Sequence, residues 1–290
     1  MIMQKITPHL WFDKEAKEAA EFYVSVFDNS KISSIATIRD TPSGDTELVA
    51  FQIMGYDFMA ISAGPFFKIN PSISFHVKCR TVGEVDQIWE KLSVGGTVLM
   101  ELGEYPFSKR YGWIQDKFGV SWQVIHTEGE FEQRITPVLM FVGEVSGRAE
   151  EAVGFYASVF RDAKAEVLAR YVEGEEPERA GTVKYAQFIL YGQEFGAMDS
   201  AQKHDLSFNE AISFIVNCRD QAEIDYFWEK LSAVPEAEQC GWIKDRFGVS
   251  WQIIPANMGE LLARNPEKTT PVMLKMKKIV IADLEKAGEG

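Results

Sequence analysis

The chain offers little material for disulfides. It has three cysteines in 290 residues, an odd number that gives no disulfide framework. It lacks a basic excess. Asp and Glu outnumber Lys and Arg by 43 to 30, and the formal net charge of −13 argues against nucleic acid or an anionic membrane as a partner. It lacks an apolar run of membrane-spanning length, and MIMQKITPHLWF has neither the long apolar core nor the cleavage site of a signal peptide. These absences lead to the expectation of a cytoplasmic globular protein. The hydrophobic fraction of 46% and charged fraction of 25% are ordinary for one.

What the chain does have is a second copy of itself. Residues 112–125 read GWIQDKFGVSWQVI and residues 241–254 read GWIKDRFGVSWQII, identical at 11 of 14 positions. ITPHLWF (6–12) matches ITPVLMF (135–141), and EFYVSVF (21–27) matches GFYASVF (154–160). ISFHVKCRTVGEVDQIWEKLS (73–93) matches ISFIVNCRDQAEIDYFWEKLS (212–232) at 13 of 21 positions. A repeat of this length is domain duplication rather than a solenoid. It divides the chain into copy one (1–127), copy two (134–255) and a C-terminal extension (256–290). Copy two has lost ten residues between Leu231 and Gly241.

Within copy one the pattern predicts a strand over 6–12 and a helix over 15–27, whose inner face carries Ala16, Ala19, Ala20, Tyr23, Val26 and Phe27. Strands follow over 31–39, 48–54 and 57–63, the last two joined by the hairpin signal Gly55-Tyr56. The same order then returns: a strand over 72–79, a helix over 82–93, and strands over 97–102, 111–117 and 120–126. Each copy is therefore β-α-β-β-β twice. The predicted class is α+β: four such modules, paired into curved mixed sheets that form cups, with helices outside and a helical tail. Cys79 and Cys218 occupy equivalent strand ends and are predicted to be small core residues.

These motifs resemble a known family. Paired β-α-β-β-β modules are the hallmark of the vicinal oxygen chelate superfamily of glyoxalases, extradiol dioxygenases and bleomycin-resistance proteins. TPHLWF, FYVSVF, the ISF…WEKLS unit and CGWIKDRFGVSWQIIP resemble its PhnB-like branch, often labelled 3-demethylubiquinone-9 3-methyltransferase. The chain has no glycine-rich strand-to-helix loop of the kind that cradles adenosylmethionine, so that label is not read as a reaction. The resemblance implies a small organic ligand held in a cup, and two activity classes. One is a metal-assisted lyase, isomerase or dioxygenase-like enzyme acting on vicinal oxygens. The other is a metal-free protein that sequesters a drug or metabolite.

In the superfamily, metal ligands come from the first and fourth strands of each module. Those positions fall on His9, His76 and Gln123 in copy one, the candidate proton handlers (His9 and His76) and metal ligands, with Ala60 at the remaining position. In copy two they fall on Val138, Ile215 and Gln252, with Ala197 at the last position and Asp199 the nearest acid. The cofactor is thus either none or a divalent ion (Zn, Ni, Mn or Fe) on His9, His76 and Gln123. A cup built across two copies or two chains would instead set His9 against Gln252 and Ile215, and His76 and Gln123 against Val138. The remaining ligand-binding candidates are Trp11, Trp113 and Trp242, which suit a flat ligand, Arg110 on a hairpin that copy two lacks, and Cys240 near Lys244. Each also has a plain structural reading: core packing, a solvated hairpin tip, an inert thiol. Trp122 and Trp251 have the opposite strand parity and are predicted to be core. Val272, Met273, Met276, Val280 and Leu284 predict one amphipathic helix docked on the domains. The chain is expected to be a monomer, the two copies replacing a homodimer, or a homodimer.

Overall fold

The computed structural model of the protein describes residues 4–41 and 43–289. The first module is β1 (Ile6–Phe12), α1 (Ala16–Val26), β2 (Lys31–Thr41), β3 (Gly44–Ile53) and β4 (Tyr56–Ser62). The second is β5 (Ile73–Cys79), α2 (Val82–Leu92), β6 (Thr97–Tyr105), β7 (Ser108–Gln115) and β8 (Ser121–His126). Copy two repeats the order as β9 (Ile135–Phe141), α3 (Ala149–Val159), β10 (Lys164–Arg170), β11 (Val183–Leu190) and β12 (Gln193–Asp199). It ends with β13 (Ile212–Cys218), α4 (Gln221–Leu231), β14 (Trp242–Lys244) and β15 (Ser250–Pro255).

Each sheet is spliced from both copies. The seven-stranded sheet has the order β14-β15-β13-β1-β4-β3-β2 and the eight-stranded sheet β10-β11-β12-β9-β5-β8-β7-β6. The splices are antiparallel ladders, β1 against β13 and β5 against β9. Strand alternation divides the side chains. Leu10, Phe58, Phe75, Trp122 and Tyr23 meet in the core of copy one, between its two half-sheets and α1. Residues of opposite parity, including Thr7, His9 and Trp11 on β1 and Ser74 and His76 on β5, line the cup faces.

The repeated DxFGVSW segment is a structural staple. The Asp116 Oδ1 accepts from the backbone N–H of Phe118 (2.8 Å) and Val120 (3.0 Å), and its Oδ2 accepts the Trp122 indole N–H at 2.8 Å. Asp245 does the same for Phe247, Val249 and Trp251, and also accepts the Tyr156 hydroxyl at 2.7 Å. Gly119 (φ 88°) and Gly248 (φ 90°) take the left-handed turn between. Burial pushes both carboxyls up, against the pull of the indole and backbone donors. Trp122 and Trp251 are therefore core residues tied to an acid, in keeping with their parity. Gly112 opens the segment because a Cβ there would come within 2.4 Å of the Trp89 ring.

The tail departs from the expected single helix. It folds as α5 (Met258–Arg264), α6 (Pro266–Leu274) and α7 (Ile281–Glu289), packed on each other around Leu261, Met273 and Leu284. The break over 275–280 has a use. Where copy one pairs Gly103 of β6 with Tyr111 of β7, copy two has no such strand. The Cys240 N–H instead donates to Met276 O at 2.8 Å, and the Gly241 N–H to Lys277 O at 2.7 Å. The tail backbone thus takes over hydrogen bonds that the lost hairpin supplied. Asp245→Ala is expected to lower the unfolding free energy by about 3 kcal/mol, because it strands four donors in the core. Urea denaturation checks this, and a loss within error of zero would remove the staple.

Candidate functional site

The eight-stranded cup holds a connected polar chain. His76 on β5 lies beside Gln123 on β8, which the parallel register places directly opposite. The His76 Nε2–H donates to Gln123 Oε1 at 2.7 Å, and the Tyr111 hydroxyl donates to the same oxygen at 2.6 Å. The Gln123 amide nitrogen donates to Ser74 Oγ at 2.7 Å. This amide orientation puts the imidazole proton on Nε2 and leaves Nδ1 as the acceptor. Nδ1 faces the hydroxyl of Tyr185, on β11 of copy two, at 3.4 Å, and the two rings stack 5.4 Å apart. Gly196 gives Tyr185 its place, since a Cβ there would lie 3.1 Å from the phenol oxygen. Beside His76 in the ladder, the buried Thr136 Oγ1 has no hydrogen-bond partner among the described residues. Tyr105 and Phe107 of the β6–β7 hairpin pack edge-on against Tyr111, and Phe107 is itself exposed. Lys78 near the end of β5 forms an ion pair with Glu194 on β12.

The seven-stranded cup is built differently. His9 lies in register with Ser213, and Ile215 with Gln252. The Gln252 amide donates to Ser213 Oγ at 3.0 Å. The His9 Nδ1 is buried without a partner, and Trp242 meets the ring edge-on at 5.5 Å. Burial pushes His9 down to about 3. Burial likewise pushes His76 down to about 4, partly opposed by its hydrogen bond to Gln123. Both imidazoles are therefore neutral at neutral pH.

This arrangement corrects the expectation of one donor set on His9, His76 and Gln123. His9 belongs to one sheet and His76 and Gln123 to the other, because the cups are assembled across the copies. Each cup receives one histidine and one glutamine. Ala60 and Ala197 pair with Leu10 and Leu139 on the helix-facing side, so the cup positions of those strands are Met59 and Ile61, and Gly196 and Met198. Asp199 accepts the N–H groups of Gly147, Ala149 and Val183, which ties it to the start of α3 and not to a cup. Among the described residues no cluster of three or more His, Cys, Asp or Glu side chains is placed to hold a metal. A divalent ion does not fit the donors present. The two bonds to Gln123 Oε1 use both its lone pairs, and His76 Nε2 carries a proton.

Trp11 and Trp242 face the seven-stranded cup, 6.0 Å apart, and Trp113 faces the other with its indole N–H on Ser121 Oγ at 2.6 Å. Arg110 points the opposite way from Tyr111, to an ion pair with Asp86 on α2 at 2.7 Å, and so does not reach the cup. Cys240 lies against the tail; burial raises its thiol pKa, and Lys244 pairs with Glu210 at 2.8 Å instead. Cys79 and Cys218 are fully buried, with thiols pushed up to about 12 by burial. Residue patterns in copy one could not single out Tyr185, which enters from copy two; its signal was the inward parity of β11 once the cross-copy pairing is known.

The depressed imidazoles make stability pH-dependent in one direction. Each folded-state pKa lies below the ordinary 6.5, so the stability contributed is fully present above that value and is lost as pH falls toward 4 and 3. Between pH 6.5 and about 5 the unfolding free energy should fall by about 0.7 kcal/mol per pH unit per histidine at first, approaching about 1.4. His9→Phe should flatten the slope and keep or raise stability at pH 7, since it removes an unpartnered nitrogen. His76→Phe should cost about 1 kcal/mol, since Gln123 Oε1 loses one of its two donors and keeps Tyr111. Denaturation midpoints across that range check both, and stability rising on acidification would contradict them.

The family model described as 3-demethylubiquinone-9 3-methyltransferase matches residues 4–125 and again 133–254. A putative 3-demethylubiquinone-9 3-methyltransferase, PhnB protein, from Bacillus cereus is 41% identical over 43% of this chain and 100% of its own, with a TM-score of 0.40. A Staphylococcus aureus protein is 32% identical over 44% of this chain and 100% of its own, with a TM-score of 0.19. Glyoxalase I from Zea mays is 12% identical but spans 89% of this chain and 96% of its own, with a TM-score of 0.54, a likeness of fold alone. No curated protein matches the chain. With the model matched once by each copy, the chain belongs to the family described as 3-demethylubiquinone-9 3-methyltransferase.

Proposed function

We propose that this protein binds a small organic molecule in the eight-stranded cup and holds no divalent metal there. The observation that carries the reading is the double acceptance at Gln123 Oε1, from His76 and Tyr111. A metal on that oxygen would have to break one of those bonds, and Glu194, the carboxylate whose charge reaches Tyr185, is already paired with Lys78. The groups left to read a ligand are neutral: the Thr136 hydroxyl, the Tyr185 hydroxyl and the Nδ1 lone pair of His76 behind it. They suit an uncharged molecule with hydroxyl or carbonyl groups. Sequestration without turnover is the class that this donor set favours over a metal-assisted lyase, isomerase or dioxygenase step. Neither the methyl-transfer name of the family nor glyoxalase chemistry is carried over as this protein's reaction. The proposal extends to a cytoplasmic monomer in which two copies supply both halves of each cup. Among the described residues no helix is long and apolar enough to cross a membrane.

Metal analysis of protein purified without chelator tests the reading. Zn, Ni, Mn and Fe should be well below stoichiometric, and added Zn²⁺ should leave the slowly exchanging His76 Nε2–H proton signal in place. Stoichiometric metal that disappears in Gln123→Ala would overturn it.

A further inference from the structure

The seven-stranded cup carries an imidazole that the fold does not use. His9 is 3% exposed and its Nδ1 has no hydrogen-bond partner. The equivalent position in the other cup is Val138, which fills the same place in the ladder with no polar atom. A buried ring nitrogen without a partner works against folding, so packing does not explain a histidine here. The walls around it are aromatic. Trp242 meets it edge-on, Trp11 lies 6.0 Å from Trp242, and Phe67 lies 5.1 Å from Trp11. The nearby cations and acids are already engaged: Lys244 with Glu210, and Asp57 with Gln52. The Gln252 amide donates to Ser213 in the same cup.

The wall held by the shorter strand is Trp242. It starts a strand of three residues, where its counterpart Trp113 sits within a strand of eight and is tied to Ser121. We propose that the seven-stranded cup is a second, chemically distinct binding site, taking a flat uncharged aromatic molecule that carries one O–H or N–H group. The ring lies between Trp11 and a displaced Trp242, and the polar group hydrogen-bonds to His9. This site does not depend on the eight-stranded cup, and its occupant differs in being aromatic.

Phenol and anisole are the probes, since they share a ring and anisole lacks the donor. In ¹⁵N-labelled protein, phenol should shift the indole N–H signals of Trp11 and Trp242 and leave Trp122 and Trp251 unmoved, with a Kd on the order of millimolar for so small a ligand. Anisole should bind about fivefold more weakly, the worth of one hydrogen bond. His9→Phe should bring phenol to the anisole level, and Trp242→Ala should weaken both probes. His76→Phe, in the other cup, should change neither. No shift of Trp11 or Trp242 at tens of millimolar phenol, or equal phenol binding by His9→Phe, would overturn the proposal.

Discussion

Two antiparallel ladders, β1 against β13 and β5 against β9, hold this molecule together and decide what its cups contain. In each copy the first strands of the two modules, β1 and β5, have a parallel neighbour on one side, β4 or β8, and an open edge on the other. An open edge in the middle of a sheet must be paired. The linker over 127–134 is short, and it delivers β9 to the edge of β5, next to β8 from which the chain has just emerged. The second ladder follows from the same duplication. Once both edges are closed, every inward side chain of copy one faces inward side chains of copy two.

That splice turns a repeated sequence into two unlike sites. His9 and His76 come from equivalent strands of different modules, so they enter different cups. The counterparts in each cup, Ile215 in the one that holds His9 and Val138 in the one that holds His76, are aliphatic. One cup thereby gains a histidine held by Gln123 and facing Tyr185, and the other a histidine with an unpartnered nitrogen beside the Trp242 indole. Divergence between the copies shows again at the sheet rims. Copy one keeps the β6–β7 hairpin, whose Tyr105 and Phe107 buttress Tyr111. Copy two lost it, and the tail backbone at Met276 and Lys277 fills the place.

The acid that recurs in both copies, Asp116 and Asp245, is structural. Its two oxygens organise a tight turn and anchor the tryptophan of the next strand. The strongest sequence signal in the chain is thus a folding device, while on the cup faces the copies agree at Ser74/Ser213, Trp113/Trp242 and Gln123/Gln252 and differ at His9/Val138 and His76/Ile215.

Period and alternation are local properties, and the sequence alone was enough to read them: the duplication, the order of strands and helices, the core role of Trp122 and Trp251, and the inward parity of His9, His76 and Gln123. Which inward residues share a cup depends on which edges pair, a choice between distant segments with no trace in local pattern. For that reason the separation of His9 from His76, the pairing of Arg110 with Asp86, the capping role of Asp199 and the arrival of Tyr185 were settled only by the tertiary structure. The break of the tail into three helices has the same cause, since the carbonyls of Met276 and Lys277 are drawn out of helical bonding by a strand edge that only the folded copy two presents.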